Sequence, residues 1–281
     1  MHCYLCGKTK TKRVKGIVRD KPELKILKCT NCGLVFLENF DHINDEYYEK
    51  GLMNDFDSLE AYEKSCIDND RWRVNMWKDK FQEKVVLDFG CGLCGFVKGL
   101  GKTSDIFGID IDPTWKQVNS DLDGSIYSSL EEIENNRFDI ITLFHVLEHI
   151  KDPINLLKNI EQKIKTSGEI IIEVPNADDA LLSLYNSSAF QNFTYWSAHL
   201  YLFTAFTLKK VIEKAGYQIN YIKQVQRYPI SNHLYWLAKG LPGGHKKWYF
   251  LDNKEINMWY EAELGKVGKC DTLIASIGRK K

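Results

Sequence analysis

The chain has 281 residues, 44% hydrophobic and 12% aromatic, enough to build a core. Its 38 Lys+Arg balance 38 Asp+Glu, which argues against a dedicated nucleic-acid binder, since those carry a basic excess. No apolar run approaches the about 18 residues of a membrane span, and Met1 is followed by His2 and Cys3 rather than by a signal peptide. The expected location is cytoplasmic, with no membrane partner. Eight cysteines in that setting read as metal ligands or buried thiols rather than disulfides.

Residues 1–40 carry two Cys-x-x-Cys-Gly units, Cys3/Cys6 and Cys29/Cys32. Each places two thiolates on one tight turn, and the glycine allows the backbone conformation that turn needs. Four sulfurs at this spacing resemble a zinc ribbon, with a closed structural Zn2+ site and no open position for chemistry. So short a segment depends on its metal for folding. Charge is local: Lys8 to Lys28 is basic and Asp41 to Asp70 acidic. The two segments either complement each other in the fold or leave a basic face for an anionic partner.

Residues 41–82 place Tyr47, Tyr48, Leu59, Tyr62, Trp72, Met76 and Trp77 at helical spacings, predicting a helical lead-in or lid, with Tyr48 a candidate substrate contact. From residue 83 the pattern changes. Apolar runs at 84–89, 106–111, 138–144 and 169–174 alternate with helical stretches, notably 152–165 and 207–215, and final strands are expected at 217–225 and 271–277. This predicts an α/β fold, a parallel sheet with helices on both faces, over residues 83–281.

The first apolar run ends in Asp88 and opens into Gly90-Cys91-Gly92-Leu93-Cys94-Gly95. Cys91 and Cys94 could be half of a metal site, a redox dithiol, or bystanders in a nucleotide loop. The loop follows a strand and precedes a helix, as a nucleotide loop does. Asp110 stands about 20 residues beyond the loop, at the end of the next strand, where a carboxylate can accept both hydroxyls of a ribose.

The segments VVLDFGCG, IFGIDIDP, FDIITLFHVLEHIKDP and GEIIIEVPN resemble the successive motifs of class I S-adenosylmethionine-dependent methyltransferases, over about residues 85–225. The third is similar to the segment after the fourth strand in small-molecule methyltransferases such as those of ubiquinone biosynthesis. The resemblance implies a Rossmann-like sheet and S-adenosylmethionine as cofactor. It implies that Asp88, Gly90, Cys91 and Gly92 border the cofactor's methionine part. Asp110 would take the ribose, Ile111 the adenine and Ser129 the adenine edge, with Phe144 and His145 beside the sulfonium. Cys91 becomes a small residue packed under the loop. One departure is that the family's third glycine falls at Cys94.

His145 and His199 are the candidate catalytic residues, with His199 first choice for the base that takes a hydroxyl proton. Glu148 and His149 read as structural. The segment around His199 resembles His-Leu-x-x-Phe-Ser of many such methyltransferases. In sugar C-methyltransferases, which also carry an N-terminal zinc module, a Glu precedes this His; here Ala198 stands there, which favours methylation of oxygen over carbon. Residues 228–268 interrupt the last two strands and are expected to form a substrate lid or a dimer contact. Arg227, His233, His245 and Lys246 are candidate substrate contacts. The function expected is methyl transfer to a small molecule, anionic or sugar-linked and belonging to surface-polysaccharide biosynthesis. Alternatives are an RNA methyltransferase gripping RNA with a basic ribbon, and a non-catalytic cofactor-binding scaffold.

Overall fold

In the computed structural model, residues 2–44, 47, 59–101, 104–113, 122 and 125–280 are described. Tyr48 lies outside them. The cysteine module supplies β1 (Thr11–Arg13), β2 (Ile26–Cys29) and β3 (Val35–Leu37), paired antiparallel. Its two knuckles close alike: Gly7 N–H donates to the Cys3 carbonyl and Gly33 N–H to that of Cys29. Lys25 pairs with Glu38 at 3.0 Å, so part of the basic run is answered inside the module.

After helix α1 (Leu59–Phe81) come β4 (Val85–Phe89), α2 (Gly95–Leu100), β5 (Asp105–Ile109), β6 (Ile126–Tyr127), β7 (Phe138–Phe144), α3 (Pro153–Glu161) and β8 (Ile164–Pro175). Then follow α4 (Ala180–Ser183), α5 (Ser188–Thr194), β9 (Tyr201–Leu202), α6 (Ala205–Ala215) and β10 (Tyr217–Val225). The chain ends with α7 (Ile230–Lys239), α8 (Gly244–Lys247), α9 (Lys254–Lys266) and β11 (Thr272–Arg279). Local chemistry sets these boundaries. The Asp152 carboxylate accepts from Asn155 N–H with Pro153 in the first turn of α3. Thr204 and Thr207 form a reciprocal capping box on α6, which Gly216 ends in the left-handed conformation.

The main sheet has the order β10-β11-β8-β7-β4-β5-β6. The strands β6 to β8 run parallel, and β11 inserts antiparallel between β8 and β10. The parallel sheet expected from the sequence therefore carries an antiparallel member. The expected helix at 152–165 stops at Glu161, because Arg137 and Phe138 donate to the Lys163 carbonyl and draw Ile164 onward into β8. Residues 228–268 are helical, not an irregular loop. Among the described residues no helix is long and apolar enough to cross a membrane.

Two features tie the remaining parts to this sheet. β9 lies in the carboxyl-terminal half of the chain yet pairs with β3, making the module a four-stranded sheet. Helix α1 packs on α2, with Trp77 stacked on Phe81 and on Phe144 at the end of β7. A Cβ at Gly95 would overlap the Asp70 carboxylate, and one at Gly99 a methyl of Val74. Glycine is what lets the two helices touch. Gly99→Ala is expected to cost about 1–3 kcal/mol through overpacking, read as a lower urea midpoint at unchanged slope; an unchanged midpoint would show that α1 is not seated here.

Candidate active site

The strand β4 delivers Asp88 and the glycine loop to the carboxyl edge of the parallel strands, where open α/β sheets bind ligands. Gly90 has φ +75°, and a Cβ there would meet Val146 at 2.6 Å. Gly90 and Cys91 N–H groups donate to the Ile109 carbonyl at 2.8 and 3.2 Å, locking the loop to the end of β5. Asp110 follows β5, and its carboxylate accepts from Gly92 N–H at 2.7 Å and Asp112 N–H at 2.9 Å. Asp88 accepts from the Thr142 hydroxyl at 2.7 Å. Burial pushes its pKa up to about 7 and also raises that of Asp110. Two carboxylates thus flank the glycine loop, whose one large side chain, Leu93, is buried.

Cys94 takes φ +59°, the left-handed backbone at which the resembled family has glycine. Its sulfur lies 3.3 Å from Cys91, both buried; neither belongs to a group of metal-ligating type among the described residues. Ile111 is 52% exposed at the loop's mouth. Ser129 stands two residues beyond Tyr127, which pairs with Ile109 in β6, on the same edge.

Beside the loop, β7 ends in Phe144 and His145. Phe144 is buried against Phe96 and Trp77, with the Arg73 guanidinium 5.2 Å above its ring. His145 has φ +55°, a costly conformation for a residue with a side chain, and such residues cluster at functional sites. Its Nδ1 lies 3.0 Å from Glu148, and its Nε2 lies 3.0 Å from Glu173 and 2.5 Å from Arg227 Nη1. Burial disfavours the imidazolium, but the hydrogen bonds to Glu148 and Glu173 outweigh it and raise the pKa.

Glu173, fully buried on β8, also accepts two bonds from Arg73 of α1, at 2.9 and 3.2 Å, and lies 3.4 Å from Arg227. Burial opposes its ionisation, but Arg73, His145 and Arg227 hold its pKa well below the usual range. Arg227 reaches Asn69 of α1 at 2.6 Å.

On the far side of His145 lie Glu148, His149 and His199. His149 Nδ1 lies 2.9 Å from the Ala198 carbonyl, and the two imidazole centroids are 4.9 Å apart. Glu148 is buried, and its Oε2 has no hydrogen-bond partner among the described residues. Burial opposes its ionisation, yet His145, His149 and His199 hold its pKa at about 2. Burial, with His149 nearby, lowers His199 to about 3. Glu148, His149 and His199 each bring one ligand atom within 4.8 Å of the others, a carboxylate-and-imidazole set able to hold a divalent cation. The carboxylate that Ala198 does not supply beside His199 comes instead from Glu148.

Other expected contacts lie elsewhere. His233, on α7, is buried, Nδ1 2.8 Å from the Tyr260 hydroxyl and Nε2 3.1 Å from Gln226; it belongs to the packing of the inserted helices. His245 faces Asn232 and Tyr228, and Lys246 meets Asp68 of α1 at 3.7 Å with both side chains exposed. Arg227 alone of the four joins the site. Arg73 and Glu173 were not expected; a single Glu inside the apolar run EIIIEVP was the available signal. The four module sulfurs lie within 4.8 Å of one another, with Cys3–Cys32 and Cys6–Cys29 both at 3.5 Å. Sulfurs about 2.3 Å from one tetrahedral zinc would be about 3.8 Å apart, so the set fits the ion.

Removing the Glu173 charge takes the shared anion from two arginines, each 11% exposed, and among the described residues leaves Arg73 only Asp70, at 3.6 Å. Glu173→Gln is expected to destabilise the fold by about 3 kcal/mol; a loss under about 0.5 kcal/mol in urea unfolding would show the cluster to be solvated.

Comparison with known proteins places this geometry. A family described as a methyltransferase domain matches residues 63–222, more than half of the chain. A ubiquinone biosynthesis O-methyltransferase of Burkholderia pseudomallei is 23% identical over 163 residues, covering 53% of this chain and 70% of that protein. The mitochondrial ubiquinone biosynthesis O-methyltransferase of Schizosaccharomyces pombe is 28% identical over 106 residues, 33% of this chain and only 38% of that protein. Among solved structures, a chain of the Haloferax volcanii complex between the Trm112 methyltransferase activator and a methyltransferase superposes with TM-score 0.53 at 15% identity, covering 78% of this chain and 94% of that one. A Thermotoga maritima S-adenosylmethionine-dependent methyltransferase gives 0.51 at 15% identity, covering 79% and 96%. These likenesses concern the fold. With the matched domain they show that the chain belongs to the class I S-adenosylmethionine-dependent methyltransferase family.

Proposed function

We propose that the protein transfers the methyl group of S-adenosylmethionine to an oxygen of a small molecule. The observation that carries this is the division of one sheet edge into two halves. A glycine loop flanked by Asp88 and Asp110 is on one side of the end of β7, and a cluster of His145, Glu148, His149 and His199 is on the other. Asp110 holds the ribose, Asp88 and the loop border the methionine part, and the ring of Phe144 faces the sulfonium side. Methyl transfer is an in-line displacement, so holding donor and acceptor in line supplies much of the rate.

The proton of the acceptor hydroxyl needs a receiver. His145 is engaged by Glu148 and Glu173 and is a poor choice. His199 is unprotonated at pH 7, burial holding its pKa at about 3; that makes it a weak base, which the Glu148 carboxylate strengthens by stabilising the imidazolium that forms. Glu148 Oε2, without a partner among the described residues, favours a second reading of the same cluster, in which Glu148, His149 and His199 hold a divalent cation. A cation there would lower the pKa of a bound hydroxyl. The names of the ubiquinone-biosynthesis relatives support oxygen as the acceptor atom. The cysteine module, with structural zinc on Cys3, Cys6, Cys29 and Cys32, supports a sugar-linked acceptor by analogy only.

Methyl-labelled S-adenosylmethionine, incubated with the protein and a cell extract, is expected to label small, acid-soluble, ribonuclease-insensitive material showing an O-methyl resonance by NMR. Label in ribonuclease-sensitive polymer would overturn this and make the module an RNA grip. Loss of labelling on adding a chelator, restored by a divalent cation in a protein that keeps its module zinc, would decide for the second reading. Asp110→Asn is expected to weaken S-adenosylhomocysteine binding on the order of 100-fold, as one hydrogen bond to a charged group is lost and the other loses its charge; an unchanged affinity by calorimetry would remove Asp110 from the cofactor site.

A further inference from the structure

We propose that the cysteine module is the brace of the acceptor wall, with Asp20 as the positioning residue that sets His199. The inference rests on the acceptor reading of the Glu148–His149–His199 cluster given above.

The wall is the segment 195–203. Read residue by residue, it is held from outside by the module and turned inward onto the site. The Tyr195 carbonyl accepts from Arg19 N–H at 2.9 Å, and the Arg19 guanidinium lies 5.0 Å from the Trp196 ring. Ser197 is bonded at every polar atom: its N–H donates to Asp20 Oδ1 of the module at 2.9 Å, its hydroxyl to Asp20 Oδ2 at 2.5 Å, and its carbonyl meets Nε2 of His42, just beyond the module, at 2.8 Å. The next residue, Ala198, points its carbonyl at His149 Nδ1. His199 then enters the cluster. Leu200 accepts from Leu37 N–H at 3.1 Å, and Tyr201 and Leu202 pair with Phe36 and Val35.

The contacts therefore run from the module at 195–197 to the site at 198 and 199 and back to the module at 200–202. Ser197 and His199 are two residues apart, so a shift at Asp20 is transmitted along one short piece of backbone. β9 is two residues long, and β3 is its neighbour in the sheet. So short a strand has no stability of its own. Nor has the module, whose folding depends on its metal. Zinc loading should thus set the order of 195–203. The cofactor loop is tied instead to β5 and Asp110, and should not respond.

The test is hydrogen exchange on the full chain, with zinc content measured in each sample. Zinc-stripped protein is expected to exchange at least about 10-fold faster over 195–203, the factor for losing one to two hydrogen bonds to a charged group. Residues 85–112 and the affinity for S-adenosylhomocysteine should change less than about 2-fold on the same scale. Zinc-loaded Asp20→Ala should reproduce the faster exchange at 196–199 and move the His199 ring resonance, identified by its loss in His199→Asn, while that of His245 stays in place. Asp20→Asn, which keeps an acceptor for Ser197 N–H, should restore part of the protection. Unchanged exchange over 195–203 in stripped protein, or an unmoved His199 signal in Asp20→Ala, overturns the brace. A preparation in which the four cysteines hold no zinc would overturn the metal reading instead, and the Asp20 variants would still decide the brace.

Discussion

The carboxylate of Glu173 is the constraint around which the site is assembled. It is a charge removed from water, and such a charge persists only where partners surround it. Those partners come from separated parts of the chain: Arg73 from the helix before the sheet, His145 from the end of β7, and Arg227 from the end of β10. Satisfying one ion thus brings α1 over the glycine loop and fixes the start of the inserted helices. It also holds His145 in a backbone conformation it would otherwise avoid. The same residue contributes through its main chain, since the Glu173 carbonyl accepts from His145 N–H at 2.9 Å.

From this hub the molecule divides its labour. The cofactor half relies on backbone: glycines that let α1 and Val146 come close, and N–H groups that tie the loop to Ile109 and Asp110. The half proposed for the acceptor relies on side chains, two carboxylates and three imidazoles whose proton affinities burial and proximity drive apart. Such separation of neighbouring titratable groups is common where proton transfer is needed. The wall of that half is carried on strand pairing with the cysteine module, which gives this small element a place in the architecture of the site.

Much of the fold was legible because it is written locally. The strands at 138–144 and 217–225 match their apolar runs to the residue, and the Asp88–Gly90–Gly92 loop with Asp110 follows from spacing along the chain. What was not legible depends on partners far apart in sequence. Arg73 to Glu173 spans 100 residues and Asp20 to Ser197 spans 177, and no periodicity announces such pairs. His233 misled for the same reason: a histidine in an aromatic insertion looks like a ligand contact until Tyr260 and Gln226 are seen to enclose it. Glu148, read as structural, turns out to be the carboxylate shared by His145 and the His149–His199 pair.

The central claim is that one sheet edge holds the cofactor on the Asp88–Asp110 side and the acceptor on the His199 side. Hydrogen exchange of the wild-type protein with and without S-adenosylhomocysteine tests it most directly. The account predicts protection concentrated at residues 88–95 and 109–112, with little change over 195–203. Protection centred on 195–203, or none anywhere in a folded, zinc-loaded protein, would contradict it.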